Sequence, residues 1–124
     1  MSLRWVWHDD QIKSSRLLEN THKEMPVLFF VHTIYRSNYG ELRDQVLEPH
    51  RQHFDGNLDK VLAGGNLSTD DGAQRIGGVA LLDMPDRQAV ESFMAQDPFT
   101  EAGLIDTTNI VRWNKVYFDY AKVV

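Results

Sequence analysis

"VLFFVHTIYR", residues 27–36, decides the fold. β-branched and aromatic residues fill it, and Pro26 opens it, so it reads as a strand. Val27, Phe29, Val31, Thr33 and Tyr35 fall on one face, and Leu28, Phe30, His32 and Ile34 on the other. Both faces carry apolar side chains, so both need cover. The layers that cover it must come from the rest of the chain or from a partner.

The next segment, "YGELRDQVLEPHRQHFDGNLDK" (39–60), has helical periodicity. Leu42, Val46, His50 and Phe54 recur every four residues, on one face. Pro49 predicts a break near Glu48 with a new helical start, because an interior proline removes a backbone donor. "KVLAGGNLS" (60–68) is a second strand, "TDDG" (69–72) a hairpin loop and "RIGGVALLDM" (75–84) a third strand. A second helix starts near Pro85 and buries Ala89, Val90, Phe93 and Met94. The last strand is expected from about Thr107 to Tyr120.

The order is β-α-β-β-α-β, which predicts an α+β fold of the ferredoxin-like kind: one antiparallel sheet with both helices on one face. The uncovered face then needs a partner. A second copy packed sheet to sheet is the expected one, giving a homodimer; an N-terminal arm folded back over the face is the rival. Residues 1–25 differ from the rest: polar, with Ile12, Leu17 and Leu18 as few apolar anchors and Trp5 and Trp7 able to dock. The chain divides into this arm and a domain over 26–124.

Size and charge narrow the function. With 124 residues the chain is one domain by size. Lysines and arginines number 13 against 18 acidic residues, a net charge of −5, and no basic patch stands out for nucleic acid. The absence of cysteine excludes thiolate catalysis and Cys-ligated zinc. No apolar run suits a membrane span or a signal peptide, so the expected compartment is the cytosol.

The chemistry-bearing residues are few. His50 sits mid-stripe between Val46 and Phe54. It is either a structural histidine bonded to a backbone carbonyl or, given an acidic partner, a general acid or base. Asp97, in "QDPFTEAGLID" (96–106), is that partner if the second helix ends beside the first; otherwise it only starts a turn. Pro98 blocks helix continuation and Gly103 permits the turn into the last strand, so this loop can hold Asp97 against His50. Gly64 and Gly65 mark a bulge or a close approach, either as a pocket wall or as packing. His50 and His53 lie three apart, as metal ligands can, but no third ligand is near, so no metal is expected. Nor is a cofactor: no phosphate loop, serine elbow or haem-ligand pattern is present.

"EPHRQHFDGNLDKVLAGGNLSTDDG" (48–72) followed by "DPFTEAGL" (97–104) resembles the YciI-like (YCII-related) family. The matching positions are His50, Gly64, Gly65, Asp97, Pro98, Phe99, Ala102 and Gly103, within about residues 26–118. The resemblance implies a dimeric α/β barrel with a His–Asp dyad and a small-molecule reaction of isomerisation, elimination or dehydrochlorination type. Where the family commonly carries an arginine three residues before the histidine, this chain has Leu47; Arg43, one turn back, is the candidate replacement. The expected site is therefore His50 and Asp97 for proton transfer, with Gly64, Gly65, Arg43 and His53 around the substrate. A non-catalytic dimeric ligand-binding module is the alternative.

Overall fold

The computed structural model describes residues 26–124. The expectations for the 1–25 arm, including docking by Trp5 and Trp7, lie outside the described residues. The elements run β1 (Leu28–Tyr35), α1 (Gly40–Asp55), a short 3-10 turn (Leu58–Lys60), β2 (Val61–Ser68), β3 (Arg75–Asp83), α2 (Arg87–Ala95), α3 (Pro98–Glu101), β4 (Ile105–Trp113), β5 (Tyr117–Phe118) and β6 (Ala121–Lys122). The first four long strands form one sheet in the order β2-β3-β1-β4, with every neighbouring pair antiparallel. The fold is thus α+β. No helix among the described residues is long and apolar enough to cross a membrane.

The alternation in β1 sorts the layers as its sequence requires. Phe29 and Val31 join Ala80, Leu82 and Met84 in a core closed by Val90, Phe93 and Met94 of α2, with Phe54 of α1 packed against it. Helices therefore cover the Phe29–Val31 face. On the opposite face, cross-strand rows run Ala63–Leu81–Phe30–Val111 and Leu67–Gly77–Ile34–Thr107. Ile34 and Val111 are exposed there. At Gly77 the sheet tolerates no side chain, since a Cβ would overlap the carbonyl of Thr33.

Two sequence expectations fail. Helix α1 does not break at Pro49 but runs through it to Asp55. Pro49 is exposed, and so is Gln45, whose carbonyl loses the usual donor, so water can meet that carbonyl while the inward stripe holds the helix together. The last strand stops at Trp113 rather than Tyr120. The chain folds back in a two-residue ladder, with Asp119 and Tyr120 at φ of 55° and 62°, the left-handed pair that a tight hairpin needs.

Candidate functional site

Helix α2 begins at Asp86, whose side chain accepts from Ala89 N, and ends after Ala95. Asp97 then starts a new element instead of trailing off the old one. Its side chain caps the four-residue helix α3, accepting from the Phe99 backbone N–H at 3.0 Å, with Pro98 at the first helical position. The sequence reading gave Asp97 to the end of α2 and missed this cap. The signal was present: an aspartate able to cap, then proline at the first helical position, with Glu101 acidic in the first turn. Gly103, at φ 77°, makes the left-handed turn out of α3.

The cap fixes the carboxylate beneath α1. His50 Nδ1 lies 2.7 Å from Asp97 Oδ1, and the side chains are 24% and 3% exposed. An ionised carboxylate only accepts, so His50 donates through Nδ1–H. In the neutral imidazole this leaves the lone pair on Nε2. The Phe99 ring stacks on the imidazole at 3.7 Å between centroids and 6° between planes. Asp97 and Phe99, two residues apart, therefore fix both the tautomer and the plane of one histidine.

His50 borders a cavity of about 330 Å³ between α1 and the sheet. Arg43, Leu47, Arg51 and Phe54 of α1 line it from above; Thr33 and Tyr35 of β1, Gly64, Gly65 and Asn66 of β2, and Gly78 and Ala80 of β3 line the floor and side. The volume lies at the lower end of the range of small-molecule sites, roughly 300–1,000 Å³. Both glycines expected at the site are in its lining, although the β2 register shifts lie on either side of them, at Val61/Ala63 and Leu67/Ser68. A Cβ on Gly64 would meet its neighbours at 3.5 Å or more, and one on Gly65 would meet nothing within 4 Å. Gly64, paired with the inward Ala80, leaves room beside the cavity rather than relieving a backbone clash, whereas Gly65, paired with Val79, borders it with its backbone.

Leu47 and Arg43 share the wall, one turn apart. Arg43 Nε is buried and has no hydrogen-bond partner among the described residues. Tyr35, missed by the sequence reading, stands beside that guanidinium; burial pushes its hydroxyl above the ordinary 10.0, with Arg43 pulling the other way. The signal for Tyr35 was its place as the last helix-facing residue of β1, where an aromatic body can be buried and its hydroxyl can reach a site.

His53 stands apart from this group. Its Nε2 is 2.9 Å from the Phe93 carbonyl, to which it donates, and its ring packs on Phe93 at 4.3 Å. It is not in the cavity lining. Among the described residues, no three His, Asp or Glu side chains converge as a metal site.

Comparison with solved structures gives two relatives of use. The 5-chloro-2-hydroxyhydroquinone dehydrochlorinase of Burkholderia phenoliruptrix, solved in complex with 2,5-dihydroxybenzoquinone, is 25% identical, with a TM-score of 0.65 over 70% of this chain and 93% of that one. SnoaB, a cofactor-independent oxygenase from Streptomyces nogalater, is 14% identical, with a TM-score of 0.50 over 77% and 98%, a likeness of fold alone. No curated protein matches the chain. The YCII-related domain matches residues 25–114, a span that includes β1 to β4, the His50–Asp97 pair and the whole cavity lining. The chain belongs to the YCII-related family.

Proposed function

We propose that this chain is a small-molecule enzyme that uses His50 and Asp97 for proton transfer on a ring substrate, without a cofactor. The observation that carries the reading is the 2.7 Å contact between a buried carboxylate and an imidazole that borders a cavity. Asp97 holds Nδ1–H and favours the imidazolium when it forms; Nε2 takes a proton from the substrate and returns it. Gly64 leaves room for the ring, Gly65 lines the pocket with its backbone, and Arg43 contacts the ring's polar edge. The reaction class is isomerisation or elimination, including dehydrochlorination, the type named for the Burkholderia relative. Residues 26–124 form the catalytic unit, cytosolic and paired with a second copy through the open sheet face that bears Phe30, Ile34 and Val111.

The test does not require the natural substrate. Small hydroxylated rings, including 2,5-dihydroxybenzoquinone and 5-chloro-2-hydroxyhydroquinone, are incubated in deuterium oxide, and ring deuteration and chloride release are followed. Wild type accelerates one or both, and His50→Ala loses the acceleration on the order of 10²-fold or more. Rings that bind wild type and His50→Ala alike, with no acceleration of either readout, would instead assign the chain as a non-catalytic binding module.

A further inference from the structure

We infer that Tyr35 and Arg43 form an oxyanion subsite, so that the substrate is a ring whose ionisable hydroxyl or enol oxygen is bound as the anion. This deepens the reading above and rests on it. Three observations lead to it. Arg43 Nε is buried at the cavity wall without a hydrogen-bond partner among the described residues, and a buried donor left unpaired is costly unless a ligand meets it. Tyr35 borders the same cavity beside that guanidinium. A guanidinium only donates, so in any bond between the two the Tyr35 oxygen accepts, and its own O–H remains free to donate to a ligand.

Charge points the same way. Two guanidiniums, Arg43 and Arg51, and one carboxylate, Asp97, line the cavity of a chain whose net charge is −5. The Asp97 carboxylate is engaged by His50 and by the Phe99 N–H. What remains facing a ligand is cationic. Burial also keeps the Tyr35 hydroxyl protonated, and hence a donor, across the neutral range.

The site then divides its work between two ends. The His50 imidazolium gives a proton from Nε2 to a ring carbon of the bound anion; the electron pair of the new C–H bond comes from the oxygen held by Tyr35 O–H and Arg43, which becomes a carbonyl. Nε2 then removes a proton, from the same carbon in exchange or from another in isomerisation, and the electron pair of that broken C–H bond returns to the oxygen. Donors fixed where charge develops need no reorganisation during the reaction.

The experiment compares two rings by calorimetry at pH 7: 2,5-dihydroxybenzoquinone, which is ionised, and hydroquinone, which is neutral. Wild type, Arg43→Met, Tyr35→Phe and His50→Gln are used, with circular dichroism as the check on folding. Tyr35→Phe keeps the ring that meets Phe99 and Tyr39 edge-on and removes only the hydroxyl. We expect Arg43→Met and Tyr35→Phe to weaken the ionised ring about 10-fold or more and the neutral ring about 2-fold or less. His50→Gln should keep binding of the ionised ring and lose deuterium exchange. Equal losses for both rings, no loss in either variant, or no binding of the ionised ring by wild type would overturn the subsite. Exchange that persists without charge discrimination removes the subsite and leaves the His50 reading standing. Discrimination without exchange does the reverse.

Discussion

The helix-facing side of the sheet has two ends built from the same strands, and they differ in almost everything else. At one end Phe29, Leu82 and Met84 pack under Val90 and Phe93, and Leu82 is 0% exposed. At the other, the same strands offer Thr33 and Tyr35 on β1 and Gly78 on β3, with Gly64 on β2 alongside, and a cavity opens. Along β3 the inward positions shrink from Leu82 to Ala80 to Gly78. The cavity is thus made by withdrawing side chains from a continuing strand, not by a special loop. Helix α1 spans both ends, and its two histidines divide accordingly: His53 donates to the Phe93 carbonyl at the packed end, and His50 meets Asp97 at the open one.

This contrast breaks most visibly if catalysis and packing are attacked separately. Leu82→Ala removes a fully buried side chain from the packed end and should cost about 3 kcal/mol of unfolding free energy, read by urea denaturation. Asp97→Asn acts at the open end. Its amide oxygen can still cap Phe99 N–H, but the charge that favours the imidazolium is gone. Exchange or turnover should fall on the order of 10²-fold while the denaturation midpoint moves less than in Leu82→Ala. If Asp97→Asn keeps full activity, the dyad reading fails.

His53→Ala sharpens the comparison inside a single helix. It orphans the Phe93 carbonyl and removes a ring packed on Phe93 and Phe54, so stability should drop by about 1–3 kcal/mol. Ligand affinity should be unchanged, because His53 does not line the cavity. Gly64→Val reverses the signs. The strand accepts a β-branched residue there, with stability within about 1 kcal/mol of wild type, but the added methyls crowd the cavity floor and ligand binding should be lost. Tight ligand binding by Gly64→Val would mean that the cavity is not the binding site.

The two ends were not equally legible in the sequence. The packed end follows largely from pattern: the stripe read in "DRQAVESFMAQ" supplies Val90, Phe93 and Met94 of the core and one face of "VLFFVHTIYR" supplies Phe29 and Val31, while Ala80, Leu82 and Met84 join them from a strand in which no buried face was named. At the open end the sequence offered residue types but not distances. His50 looked the same whether it met a carbonyl or a carboxylate, and His53, three residues on, turned out to be the one with the carbonyl. Asp97 as a cap was readable from Asp-Pro, a capping residue followed by proline at the first helical position; its 2.7 Å reach to another helix was not, since that depends on how α1 and α3 lie across the sheet. Pro49 misled because propensity is local, whereas the stripe from Leu42 to Phe54 binds α1 to the rest of the fold on both sides of the proline. Arg43 and Tyr35 lie eight residues apart in two different elements, and only packing brings their polar ends to one wall.

The smallest effect is expected at Tyr35, where the two ends differ in what they do to a polar group. Burial raises the folded-state pKa of its hydroxyl above the ordinary 10.0 while Arg43 opposes the shift, so the folded protein holds this proton more tightly than the unfolded chain does. The stabilisation linked to that proton is complete below the unfolded value. It is lost as pH rises through the folded one. Denaturation midpoints followed from pH 8 to pH 11, a span of about three units around the tyrosine range, should therefore fall less steeply in Tyr35→Phe, which has no proton to lose, than in wild type. The two curves should run parallel below about pH 9, a unit under the ordinary tyrosine value. Identical alkaline limbs would mean that the phenol is as solvated as an ordinary surface tyrosine, and the open end would then lack the dry, cation-bordered wall on which its selectivity for an anion depends.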